Sequence, residues 1–441
     1  MAALLLGGAM APVFAADVKN LSVTVSSGTQ ANAYGGYTIE EGASALQNAL
    51  TLSGPAKVLG ASAGGWSRWG NAEWNTLTIR LDEDGLLGPS DIVGGGVAES
   101  EGGGAAVHNT VYIESGTVEG TVEGGVAVGI NGVGDGTGDV LSNQVTMSGG
   151  TVYSVFGGET GEGNANDNVV TIKGSAAVTG KSNAVYGGYT IDGNASGNIV
   201  NIEDDADIHG EIMGGYTRAG SLISGNKVNV TGGNVNENTV YGVYTAYGDV
   251  LDNQAVIKGT GQAGSSDTNS VYAGFTNIGA AAGNILYIQD SAEIAGSAFA
   301  GYQGGFISSE TVERNQVFMS GGSVGGDLTG GGSNNGGETL NNYVEITGGT
   351  VSGNVYSGFT DSADALENTL TVAGGRVEGS LFGGYSNTGT ANENKLTFSA
   401  GTAGSDAYGG YAQEGADGNE AVLSGTSVLE GNAAGGSSAR G

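Results

Sequence analysis

An all-β fold, a parallel β-helix (β-solenoid) of about 15 coils of roughly 26–33 residues each, is predicted by three features of this 441-residue sequence. A glycine-flanked aromatic motif recurs along almost the whole chain. An asparagine followed by alternating apolar residues recurs in step with it. Glycine, at 89 residues, is too frequent for stable helices and lacks the three-residue period of collagen.

The aromatic motif reads AYGGYT at Ala33, VYGGYT at Val185, IMGGYT at Ile212, VYAGFT at Val271, LFGGYS at Leu381 and AYGGYA at Ala407. Glycine pairs of this kind suit tight corners and close backbone approach. The asparagine motif reads NIVNI at Asn198, NKVNV at Asn226, NQVFM at Asn315 and NYVEI at Asn342. Its alternation places Val200 and Ile202 on one face of a short strand. Glycine-centred linkers such as residues 348–355 and 374–381 join the two motifs, so the unit is expected to hold three short strands. Strands this short bury no face alone, but stacked units bury a continuous core and pair each strand with its copy one turn away. At the strand spacing of ~4.8 Å the rod is on the order of 70 Å long.

Asparagine tolerates corner conformations, and its amide can bond its copies above and below. Asn143, Asn168, Asn198, Asn226, Asn253, Asn284, Asn315, Asn342, Asn368 and Asn394 are therefore expected to form a structural ladder. Stacking also predicts two aromatic rows. By strand parity the row containing Tyr189, Tyr216, Tyr244 and Tyr385 points with the core. The row of Tyr186, Tyr241, Tyr272, Phe299, Tyr356, Phe382 and Tyr408 then points outward, as a candidate exposed binding row, unless a glycine corner intervenes.

Composition excludes several function classes. With 45 acidic against 13 basic residues, the net charge of −32 argues against nucleic acid and anionic lipid as partners. A phosphate-binding loop needs Lys-Ser/Thr and a helix after its glycines, and no copy has them. GVGDGTGDV, residues 132–140, resembles a calcium nonapeptide but occurs once, whereas such repeats work in tandem. His108 and His209 are expected to decorate the surface. The carboxylates of residues 81–85 and of Glu203, Asp204, Asp205 and Asp207 read as turn charge. No catalytic, cofactor-binding or metal-ligating residue is assigned.

The first residues, MAALLLGGAMAPVFAADV, resemble a secretory signal peptide cut after Ala15, without the usual basic lead. The expected organisation is a signal segment over 1–15 and a solenoid over 16–441, looser over 16–142 and regular over 143–441. There are no cysteines, so an exported chain of this kind has no disulfide framework.

With that start, the absence of cysteine and tandem units of the form N-x-V-x-I-x-G-G-x-V-x-G-x-V-Y-G-G-Y-T, the chain resembles the passenger region of bacterial autotransporters. The resemblance implies a right-handed helix displayed at the surface of a Gram-negative cell. It also implies a role in adhesion or autoaggregation, with a host-surface or bacterial-surface protein or glycan, or a second copy, as partner. Family members end in a β-barrel translocator, the only part expected to meet the membrane. This sequence stops within a repeat, so its last coil is expected to be an unpaired edge. Residues 126–142 and 302–314, the longest loops, are the expected contact segments. The alternative function is a polysaccharide-active enzyme on the same scaffold, with Glu203 and Asp205 as its carboxylates.

Overall fold

The computed structural model describes residues 16–89, 92–99, 103–129, 136–182, 184–235, 238–264, 270–305, 310–334 and 336–439. Every strand pairing in it is parallel, and the described residues contain no helix. About 15 turns stack into a β-solenoid, and consecutive ladder asparagines are 25 to 34 residues apart.

A full turn holds four strands rather than the three expected. One turn runs through a two-residue corner strand (Ala45–Leu46), an asparagine strand (Ala49–Gly54), a linker strand (Lys57–Val58) and an aromatic strand (Ser62–Ser67). The last three kinds join one 40-stranded sheet, whereas the corner strands form separate ladders of six and seven strands. The corner ladder breaks after Ala165–Asn166 and resumes at Leu222–Ser224, because residues 191–198 turn without a strand.

Alternation sets the core as expected. Ile199–Ile202 alternates partly exposed and buried residues, so Val200 and Ile202 point inward with no exposure. Ala206, Ile208 and Ile212 of the same turn join them. One apolar cluster then runs unbroken from Ala33 to Ala407, as stacking requires, because each turn covers the apolar face of the next.

The corner before each ladder asparagine carries a feature with no sequence signature. Gln47, Trp74, His108, Ser142, Asp167, Asp252, Arg314, Asn341, Glu367 and Glu393 all adopt left-handed backbone, with φ between 54° and 58°. Gly197, Gly225, Gly283 and Gly418 fill the same position in other turns. An L-residue pays a steric penalty there that glycine does not. Replacing the exposed Glu367, φ 54°, by glycine is therefore expected to stabilise the protein by about 0.5–1 kcal/mol despite the added freedom of the unfolded chain. Urea denaturation measures it, and a lower midpoint in the variant would show that the Glu367 side chain braces the corner.

Candidate functional site

The asparagine ladder fills the glycine corners from within. Asn198, fully buried, accepts at its Oδ1 from the backbone N–H and the Nδ2 of Asn168, at 2.9 and 3.1 Å. Its own Nδ2 donates to Asn226 Oδ1 at 3.0 Å and to the Ala165 carbonyl at 2.8 Å. The same pair of bonds links every successive asparagine from Asn143 through Asn168, Asn198, Asn226, Asn253, Asn284, Asn315, Asn342 and Asn368 to Asn394. Asn48, Asn75 and Asn109 extend it at one end and Asn419 at the other. Each buried amide thus has its polar atoms satisfied, as burial demands.

The second glycine of VYGGYT lies against this amide. A Cβ on Gly188 would come within 2.5 Å of Asn198 Nδ2, so the apparent cradle is already occupied by the protein's own side chain. In VYGVYT a buried Val243 takes the glycine's place and packs with Ile223 and Val250. There the Asn253 Nδ2–Ile223 carbonyl bond lengthens to 3.3 Å and a second bond, to the Leu251 carbonyl at 3.0 Å, forms.

Both aromatic rows lie on one face, which corrects the parity expectation. Tyr186 and Tyr189 meet edge-on at 5.5 Å, as do Tyr241 and Tyr244. The cause is the glycine pair between them: Tyr186 and Gly188 bridge the next turn but Gly187 does not, so the alternation is reset. Along the rod, rings of one row stack nearly parallel: Tyr189 on Tyr216 at 4.8 Å and Tyr272 on Phe299 at 4.8 Å. Such pairs contribute about 0.5–1.5 kcal/mol each beyond area burial.

The row expected to be exposed is the more covered one. Tyr186 is 1% and Phe382 8% exposed, while Tyr241, Tyr272, Phe299, Tyr356 and Tyr408 are half-buried. The other row, expected to be core, is half-buried at Tyr189, Tyr216, Tyr244, Phe275, Tyr302, Phe359, Tyr385 and Tyr411. Burial pushes the Tyr189 hydroxyl up to about 12 and raises Tyr186, Tyr241 and Tyr356 further, so these groups remain protonated donors. The rings form three groups, Tyr34 to Trp66, Phe156 to Tyr302 and Tyr356 to Tyr411; the last two are parted at the turn carrying Thr329 and Gly332, where the Tyr302 ring lies over Gly332.

Two carboxyls interrupt the same face, unforeseen from the sequence. Glu123 takes the slot in register with Phe156, and Glu159 the slot in register with Tyr189. Glu123 is 1% exposed and hydrogen-bonds Glu159, whose carboxyl is pushed up to about 7 by burial, the larger effect, against that bond. The two groups are in direct contact, whereas glycosidase carboxyls stand ~5–9.5 Å apart to admit the scissile bond or a water. The sequence signal was the acid at an aromatic slot of VEGGVA and VFGGET, one turn apart, rather than a run of acids.

The acid runs themselves brace turns. Asp204, exposed and left-handed at φ 56°, accepts from the Gly174 N–H at 3.2 Å, and Asp290 does the same for Gly259. Asp205 is exposed beside it, Glu203 partly so, and Asp207 bonds His209 at 2.9 Å on the surface. Asp82, Glu83 and Asp84 are exposed, and His108 stacks on Trp74 at 4.2 Å. No group of three or more potential metal ligands occurs among the described residues. Residues 132–135 of GVGDGTGDV lie outside the described residues, as do 130–135 and 306–309 of the two long loops and the expected signal segment 1–15. Among the described residues no helix is long and apolar enough to cross a membrane. No family model, no curated protein and no solved structure matches the chain.

Proposed function

We propose that the chain is an exported, surface-displayed β-helical rod, the passenger region of an autotransporter, that mediates adhesion or autoaggregation. The observation that carries this reading is the ladder of half-buried rings, Tyr189 to Tyr302 and Phe359 to Tyr411, laid along one face of the solenoid. Tyrosine rings with protonated hydroxyls offer rigid apolar area and a polar tip, the chemistry that recurs at protein interfaces. The loops that follow the aromatic strands border that face and add the variable contacts. The proposed role is structural rather than enzymatic: the clustered carboxylates hold turns, and the buried pair leaves no gap for a substrate bond.

The test displays the rod on cells and measures their settling. Substituting serine for both Tyr216 and Tyr244 is expected to slow autoaggregation at least fivefold while the β-type circular dichroism persists. Unchanged settling by a folded double variant would sink the assignment to this face.

A further inference from the structure

A second aromatic group lies on a different strand of the coil, where the fold has no use for it. The middle outward position of the asparagine strand is a threonine in seven turns, Thr24, Thr51, Thr78, Thr146, Thr171, Thr371 and Thr397, and a lone exposed Tyr112 in another. Over two consecutive turns it becomes Tyr287 and then Phe318, and in the next turn Glu345 takes the column while Tyr343 stands two residues before it on the same strand. Tyr287 stacks on Phe318 at 5.3 Å and 18°, and Phe318 meets Tyr343 at 5.9 Å. All three rings are half-buried although they point away from the core, which Leu286, Val317 and Val344 fill from the same strands.

Tyr287 and Phe318 wall a shallow depression of about 260 Å³ whose rim is polar: Gln289, Ser320 and Thr347 in one column, with Glu345 beside Phe318. Three turns by one short strand span only about 200 Å², from a strand spacing of ~4.8 Å and a rise of ~3.3 Å per residue. A stable protein partner needs about 800 Å² per side. The size therefore suits one or two rings of a small ligand. A pyranose matches the chemistry, with a flat face of C–H bonds for the aromatic wall and an edge of hydroxyls for an amide, two hydroxyls and a carboxylate. The net charge of −32 and Glu345 at the rim disfavour an acidic sugar.

We propose that Tyr287, Phe318 and Glu345, with Gln289, Ser320 and Thr347 at the rim, form a binding site for a neutral hexopyranose chain, lying across successive coils. The site gives the adhesion reading a glycan ligand and rests on that reading for its biological purpose, though not for its chemistry.

Calorimetric titration of the full chain with hexamers of β-1,4-glucose, α-1,4-glucose and β-1,4-N-acetylglucosamine, and with hexagalacturonate, tests it. At least one neutral hexamer is expected to bind better than the acidic one. Phe318→Thr, which installs the residue this column carries in other turns, is expected to weaken binding at least tenfold with the circular dichroism unchanged. Glu345→Gln is expected to weaken it several-fold. The site is overturned if no neutral hexamer binds at millimolar concentration, if hexagalacturonate binds best, or if folded Phe318→Thr binds as the parent does. The settling assay distinguishes the two readings. Lost glycan binding with normal settling in Phe318→Thr supports the site alone, and normal settling in the Tyr216/Tyr244 double variant sinks only the self-association reading.

Discussion

Replacing Asn226 by aspartate is expected to cost about 4 kcal/mol at neutral pH and to open the rod locally, because it leaves an uncompensated charge in the interior. Asn226 is fully buried. Its Oδ1 accepts two bonds from Asn198, which a carboxylate oxygen could still accept. Its Nδ2 donates to Asn253 Oδ1 at 3.1 Å and to the Ala195 carbonyl at 2.8 Å. In the variant a second carboxylate oxygen would face those two acceptors with no hydrogen between them. Desolvation and the two facing oxygens both raise the pKa of the new carboxyl above that of an unfolded aspartate. The variant is therefore least impaired at low pH, where a protonated carboxyl restores one donor, and loses stability as pH rises through the raised value. Hydrogen exchange of the amides in Lys227–Val230 and Val240–Tyr247 reads the effect turn by turn, which a solenoid's nearest-neighbour energetics make more informative than one global midpoint. Asn229→Asp is the control. Asn229 is half-exposed on the outer side of the same strand, where its amide bonds Asn201 at 2.8 Å, so a change within about 0.5 kcal/mol is expected. Equal effects at the two positions would mean that the ladder is decoration and not a fold determinant.

The ladder was legible because its residue type is invariant and its partners are copies of itself. Val200, Ile202, Ile208 and Ile212 were legible for a related reason, since inward positions of a stacked strand must be apolar. Other features could not be read this way. Ala45–Leu46 and its copies are two or three residues long and lie in segments whose composition is polar and variable. The left-handed corner is shared by Gln47, Trp74, His108, Arg314 and Glu367, residues with nothing in common but the hydrogen-bonded geometry that follows them. The aromatic rows were found, yet their side of the rod was not. Parity counts residues, and the Gly187–Gly188 pair breaks the count. Glu123 and Glu159 are separated by a full turn, and only the register Glu123↔Phe156 and Glu159↔Tyr189 brings them onto one face.

That pair carries the second large expectation: the turns around Glu159 lose stability as pH rises from about 5 to 8, by up to about 3 kcal/mol for a carboxyl raised from 4.5 to about 7, less where water reaches its outer oxygen. The direction follows from proton binding. The folded state holds the Glu159 proton up to about 7, whereas the unfolded chain releases it near the ordinary glutamate value. Between those values the folded state binds more protons, so its stability is full below the unfolded value and is lost as pH climbs through the folded one. The groups facing the pair sharpen the effect. Glu123 in the preceding turn is a second buried acid, and Tyr186 and Tyr189 in the following turn stay neutral throughout this range. Ionisation of Glu159 then places a buried charge at the base of the ring stack Phe156–Tyr189–Tyr216, where desolvation disfavours it. Glu159→Gln removes the titrating carboxyl and leaves an amide that can still hydrogen-bond Glu123 at every pH. Exchange rates of the Thr151–Glu159 and Val185–Thr190 amides, corrected for intrinsic pH dependence, should therefore rise steeply from pH 5 to 8 in the parent and stay nearly level in the variant. Parallel pH profiles for the two proteins would show that Glu159 ionises without strain and that the interruption of the aromatic face is not a titrating element.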